Sequence, residues 1–415
     1  MKPLRLFCIL FLIPIVLLGQ NYSNDRFLTV RSKDSINNEP RIKGSLGTNI
    51  KLNGYYDLFG GLQNSETFNI GNINVFGSDD SDSFKMDMYQ TQIKLEGEYL
   101  SVNGQKMLAV VEFDFWGGNG RMRLRKAYIE TGHWQIGQNW NNFGDEVLWP
   151  NIMEWEGPPS GIWTRSPHIK YFNTFKNEQW KYEMSLEAPI INYVSLGDLE
   201  PLVEEAFQVT PDVTLAIKNQ HDWGHVRLSS ILRNVRYKLD GELDNFIGYG
   251  FAFSGIYSAE SKNNFQFQLV GGKGISAYMT SISGLGFDGY PTVNDEFDAT
   301  PSYGGWLAYE YYFTEKLHSN IVFGYARYGF EDMERFILSN DIIGEDAILR
   351  GDYFYTHSYG IFNLMYEPFE RVTIGLELDY GMKKLDINGD VNNQIIDDSR
   401  DRDAMRISFG FMFYI

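Results

Sequence analysis

The sequence predicts an all-β chain: a transmembrane antiparallel β-barrel of about sixteen strands, with short periplasmic turns and long extracellular loops. Three observations carry this. The chain opens on a secretory signal, its later segments alternate polar and apolar residues with period two, and its connections alternate between short and long.

Residues 1–20 read as a signal peptide. Lys2 and Arg5 form a positive start, and 6–18 form an apolar run too short to cross a bilayer as a helix. The single cysteine, Cys8, lies inside that run, so the mature chain is expected to carry no disulfide or thiolate chemistry. Residues 21–45 are polar and aperiodic and read as a periplasmic extension; 46–415 read as the barrel. No later apolar run reaches the roughly 18 residues of a membrane helix.

The composition of 26 Tyr, 30 Phe, 9 Trp and 41 Gly suits strands, membrane interfaces and tight turns. The formal charge of −18 argues against nucleic acid as a partner.

Strands are expected to begin near Ile50, Lys85, Lys106, Arg121, His133, His168, Gln179, Asp212, Trp223, Asn245, Asn264, Ser302, Leu317, Tyr353, Arg371 and Ala404. The last is the clearest. Met405, Ile407, Phe409, Phe411, Phe413 and Ile415 share one face, and Arg406, Ser408, Gly410 and Met412 the other. A soluble barrel turns its apolar face inward; here that face would meet lipid.

Short connections fall at 101–105, 131–133, 176–178, 220–222, 260–263, 314–316 and 367–370. Longer ones fall at 63–84, 145–167, 191–211, 279–301, 331–352 and 387–403, with 117–120 and 241–244 as short exceptions. That sorting belongs to outer-membrane barrels rather than soluble sandwiches.

Two regions carry chemistry. Around Gly117-Gly118-Asn119-Gly120, one strand places Glu112 and Asp114 on its polar face, and its partner places Arg121, Arg123 and Arg125 there. A four-residue loop sets Asp114 opposite Arg123 and Glu112 opposite Arg125, with all five charges in the lumen. Such a ladder either attracts anionic groups or neutralises itself through cross-strand pairs. Arg121, at the tip without a facing acid, is the better solute contact. Lys126 turns outward under strict alternation unless a bulge or a subunit interface accommodates it.

The second region is a constriction loop near 145–167. It holds Asp145, Glu146, Glu154 and Glu156 with Trp149, Trp155 and Trp163, and ends beside Arg165. Folded inward it sets acids opposite the arginines; folded outward it is a cap whose tryptophans pack together.

Several runs resemble the DcaP-type outer-membrane porins: Gly117–Gly120 with Arg121-Met122-Arg123-Leu124-Arg125-Lys126-Ala127-Tyr128, then Gly137-Gln138-Asn139-Trp140, Glu156-Gly157-Pro158-Pro159, and Arg165-Ser166-Pro167-His168-Ile169-Lys170-Tyr171. The resemblance covers residues 48–190. It implies a sixteen-stranded homotrimer whose third long loop folds inward, and passage of small anions such as dicarboxylates. The N-terminal coiled coil common in that family has no heptad counterpart in 21–45.

Asp386, Asn388, Asp390, Asn392 and Asp397 have a loose calcium-loop spacing, although Val391 stands where glycine is expected; a solvated polar loop explains them as well. With no nucleophile elbow and no plug domain, neither an enzyme nor a gated transporter is expected, and no cofactor is implied.

The expectation is therefore a passive porin in the outer membrane of a Gram-negative bacterium. Its partners would be small hydrophilic solutes, outer-membrane lipid, lipopolysaccharide and two further copies of the chain. A sugar-selective or general porin is the alternative within transport, and a structural or adhesive barrel the alternative outside it.

Overall fold

A computed structural model describes residues 28–62, 65–78, 81–190, 203–239, 242–258, 262–292, 297–338, 347–391 and 394–414. The expected signal peptide at 1–20, and Asn392 of the candidate cation loop, lie outside them.

The alternating segments form a closed antiparallel barrel of 16 strands. The first half comprises β1 (Ile42–Phe59), β2 (Ser83–Asp87 continued by Gln92–Leu100), β3 (Lys106–Asp114), β4 (Arg123–Thr131), β5 (Trp134–Trp140), β6 (Arg165–Phe175), β7 (Trp180–Glu187) and β8 (Val203–Gln208 continued by Asp212–His221). The second half comprises β9 (Gly224–Leu239), β10 (Glu242–Ser258), β11 (Asn264–Lys273), β12 (Pro301–Thr314), β13 (Leu317–Leu338), β14 (Ala347–Tyr366), β15 (Val372–Val391) and β16 (Gln394–Tyr414). Each strand pairs with the next, and β16 closes on β1 from Met405↔Phe59 to Tyr414↔Asn49.

The outer face carries the apolar half of each alternation. On β15, Ile374, Leu376, Leu378 and Tyr380 are exposed, whereas Thr373, Glu377, Asp379 and Lys383 are buried in the lumen. Exposed aromatics gather near the periplasmic turns, among them Trp134, Phe175, Tyr257, Phe313, Tyr366 and Phe369, as expected where lipid gives way to headgroups.

Three features depart from the sequence reading. The wall begins at Ile42 rather than near residue 46 or 50, and part of the expected extension is structured. Leu28–Arg31 pairs with β1 from Leu28↔Leu46 to Arg31↔Lys43. The reason is geometric: β16 reaches β1 only as far as Asn49, so the lower edge of β1 is open and the short strand covers it.

Second, two of the expected long loops are largely wall. β13, β14, β15 and β16 have 22, 20, 20 and 21 residues, about twice the 9–11 that cross a bilayer, so their upper halves stand clear of the membrane as paired hairpins. The wall from β3 to β7 has strands of 7 to 11 residues and is much lower.

Third, the lumen is heavily filled. Segments around 65–78, 141–164 and 274–291 fold inward. Phe143, Ile162, Ile275, Tyr278, Met279, Ile282 and Phe287 pack with inward-facing Tyr328, Phe330, Tyr353, Tyr355, Leu385 and Ile387. The inner face of the tall wall is therefore apolar at this height, and its polar residues, among them Asn363, Glu377, Asp379 and Arg406, lie elsewhere along the same strands. Arg233, fully buried, anchors this plug by pairing with Asp212 (3.2 Å) and Asp288 (3.1 Å) and donating to the Gly274 carbonyl (2.7 Å).

Candidate functional site

The inward segment 141–164 crosses the lumen and is tied down near its start and at its tip. At its start, Asp145 accepts from Ser254 (2.9 Å) and meets the His225 ring nitrogen Nε2 (2.8 Å). Burial works against the Asp145 carboxylate, but His225 and Arg227 still hold it below the usual carboxylate range.

At the far wall, Glu377 accepts the backbone N–H groups of Met153 (2.8 Å) and Glu154 (2.7 Å) and the side-chain amide of Asn363 (2.9 Å). Lys51 donates to the Met153 carbonyl (2.8 Å). The Met153 side chain occupies space left by two wall glycines. A Cβ on Gly410 would lie 1.9 Å from its Cε, and one on Gly375 2.4 Å from its Sδ. The loop is thus a fixed cross-member, in the inward of the two arrangements that the sequence leaves open.

Between this cross-member and the low wall lies a cavity of about 620 Å³. Its cationic side is Arg123, Arg125 and Arg165; Trp116, Trp140, Trp149, Trp155 and Trp163 surround it, with Glu156, Thr67 and Thr280 on the loop side.

The wall charges are arranged as the alternation requires, with one irregularity. Asp114 pairs with Arg123 in register and binds it through two contacts, Nε–Oδ1 at 3.0 Å and Nη2–Oδ2 at 2.6 Å. A bulge then shifts the register so that Glu112 lies opposite Lys126. The extra residue turns both Arg125 and Lys126 inward. Arg125 reaches Glu112 (2.7 Å) and Asp114 (3.0 Å), and Lys126 lies 3.8 Å from Glu112. Lys126 therefore does not face outward as strict alternation would have it.

Arg165 stands directly opposite Trp140, its guanidinium 5.0 Å from the ring centre. Among the described residues Arg165 forms no ion pair, and its Nη1 is buried without a hydrogen-bond partner. Arg125 stacks on Trp155 at 4.7 Å, and Trp155 on Trp116 at 6.0 Å. Four cations, Arg123, Arg125, Lys126 and Arg165, thus face two wall carboxylates, Glu112 and Asp114. Guanidiniums backed by indoles present their donor edges to whatever enters.

The expected site residues divide accordingly. Arg123, Arg125, Trp149, Trp155, Glu156, Trp163 and Arg165 line the cavity; Glu112 and Asp114 lie buried beneath the arginines. Arg121 does not join them. The Gly117 N–H bonds to its carbonyl, and its own N–H to that of Gly118, so it belongs to the exposed turn beyond the last ladder pair.

Of the four loop acids only Glu156 reaches the cavity. Asp145 is an anchor, and Glu154 is consumed by the N–H groups of Phe68 (3.0 Å) and Gly157 (2.5 Å). Glu146 is exposed on the other side of the loop. Burial, with Glu154 adding to it, pushes the Glu156 carboxyl up to about 8.

Trp116 escaped the sequence reading although it adjoins the glycine loop, and Trp140 entered it only as the end of the Gly137–Trp140 run, with no place in the pore. The candidate calcium residues do not converge. Asp386, Asn388 and Asp390 lie at alternate positions of β15, and Asn388 pairs with Asp397 across the hairpin. Among the described residues no three His, Cys, Asp or Glu side chains come together in a way that could hold a metal ion. Asp386 is instead held by Lys384 (2.7 Å) and Ser399 (2.7 Å).

No protein-family model matches the chain, and no curated protein matches it by sequence. Solved structures do match. The outer membrane channel DcaP of Acinetobacter baumannii superposes with a TM-score of 0.68 at 16% identity, over 90% of this chain and 97% of that one. An anion-selective porin from Comamonas acidovorans gives 0.55 at 8% identity, over 90% and 100%. OmpT of Vibrio cholerae, expressed in the outer membrane, gives 0.52 at 10%, over 92% and 100%. At such identities the likeness is one of fold: this chain has the sixteen-stranded barrel of the outer-membrane porins, and DcaP shares it over nearly its full length.

Proposed function

We propose that this protein is a passive porin of the Gram-negative outer membrane, working as a homotrimer and admitting small hydrophilic anions, dicarboxylates among them. No catalysis and no cofactor enter the reading. It rests chiefly on Arg165, a wall guanidinium that lines the cavity beside Trp140 without a carboxylate partner among the described residues. Arg123 and Arg125 are matched by Asp114 and Glu112, so each contributes a donor edge rather than a full surplus charge.

An entering carboxylate would exchange water for guanidinium donors in a region screened less than bulk solvent. The ring of tryptophans would give way to apolar or planar parts of the solute. Solute release follows from the same partial neutralisation, because a site that binds too tightly does not conduct.

A second reading, a structural or adhesive barrel without an open pore, draws on the apolar plug built from segment 274–291. Swelling of liposomes containing the protein separates the two. Faster swelling in dicarboxylates than in uncharged sugars of similar size supports the anion porin. Faster swelling in malto-oligosaccharides moves the assignment to a sugar porin, and no swelling with any solute favours the closed barrel.

A further inference from the structure

A second cluster of cations lies on the other side of the inward loop, a few residues from the periplasmic turns. The register places Lys181 of β7 directly opposite Lys218 of β8, and Lys218 directly opposite Arg227 of β9. Like charges facing one another along a ladder destabilise it. Lys170 on β6, only 4% exposed, lines the same recess.

Three carboxylates face this cluster, and two are already engaged. Glu183 is shared between Lys181 (2.8 Å) and Arg227 (3.4 Å). Asp145 is held by His225 and Ser254. Glu146 is exposed at the rim. Arg227 also donates to the carbonyls of Asn142 (2.6 Å) and Phe143 (3.4 Å). Among the described residues the ammonium groups of Lys170 and Lys218 make no ion pair or hydrogen bond. The recess measures about 30 Å³, above the ~10–15 Å³ that a single bound water requires.

We infer that this recess is a second anion site, binding one compact inorganic anion of halide size between Lys170 and Lys218, with Lys181 and Arg227 flanking it. The bound anion offsets a row of like charges that Glu183 alone does not neutralise. Its place in transport rests on the proposed porin function: an anion leaving the arginine cavity meets a second weak site before the periplasm, and two such sites in series pass ions on rather than trap them.

The test does not depend on conduction. Crystals of the full chain are soaked in sodium bromide and anomalous density is measured for the wild type and for Lys170→Gln/Lys218→Gln. A bromide peak touching both ammonium groups in the wild type and lost in the double variant is the expected result. A peak retained in the double variant marks an adventitious ion only and overturns the site, as does the absence of a peak in the wild type.

If the double variant fails to fold, judged by heat-modifiable migration of the barrel, Lys218→Gln alone replaces it; unchanged bromide occupancy there also overturns the site. Bromide bound to a barrel that carries no current would sink the porin function and leave the site standing. A conducting barrel without bromide would do the reverse.

Discussion

Removing the Glu377 carboxylate should free the constriction loop. In Glu377→Ala the backbone N–H groups of Met153 and Glu154 lose their acceptor, and the Asn363 amide nitrogen loses one of its two acceptors. A buried N–H left unsatisfied costs about 1–3 kcal/mol, so the docked tip is weakened by about 2–6 kcal/mol. Since 1.4 kcal/mol is tenfold, the undocked population rises at least about 30-fold. The Lys51 bond to the Met153 carbonyl and the Asn363 bond to the Asn151 carbonyl remain, so the loop is expected to fluctuate rather than leave. Single-channel recording in planar bilayers reads this directly, as a higher mean conductance with frequent transitions between levels. An Glu377→Ala channel with the conductance and noise of the wild type, in a barrel of unchanged heat-modifiability, would refute the claim that this carboxylate holds the loop in the pore.

Other outcomes follow from the same geometry. Gly410→Val places side-chain atoms where Met153 now packs, so it should disturb the loop tip and raise channel noise. Arg233→Ala leaves Asp212 and Asp288 buried without their shared cation and should cost about 3–5 kcal/mol, read as a lower temperature for loss of the compact gel form. Glu156, raised to about 8, is mostly neutral at pH 7 and gains a negative charge as pH climbs through that value. Anion preference should therefore fall between pH 7 and 9 in the wild type and stay flat in Glu156→Gln, measured as reversal potential at each pH.

Much of the barrel could be read from the chain because a membrane wall imposes a strict rule on every strand. Period-two alternation in 371–383 and 405–415 fixed which residues meet lipid, and the short turns fixed the order of the strands. The Asp114–Arg123 pair followed from the glycine loop alone. What the chain concealed was set by contacts distant in sequence. Whether 145–167 points inward depends on Glu377 and Lys51, more than a hundred residues away on either side. The connection at 279–301 reads as an ordinary long loop, and its apolar seat comes from distant tall-wall residues such as Tyr328, Phe330, Tyr353, Tyr355, Leu385 and Ile387.

Local irregularity explains the remaining errors. A bulge between Arg123 and Lys126 defeats strict alternation, and the ladder ends before Arg121, which leaves Arg121 in the exposed turn; under the proposed function Arg165 takes the place expected of it. Arg165 was visible as a residue but not as an unpaired one, since the lack of a partner is a property of the folded neighbourhood.

The most direct test of the central claim is the reversal potential under a salt gradient, measured for the wild type and for Arg165→Gln in the same bilayer system. If an unpaired wall guanidinium sets selectivity, the wild type prefers anions, Arg165→Gln moves the potential toward zero, and dicarboxylate block weakens with it. A wild-type channel that prefers cations, or an Arg165→Gln channel as anion-selective as its parent, would contradict the account.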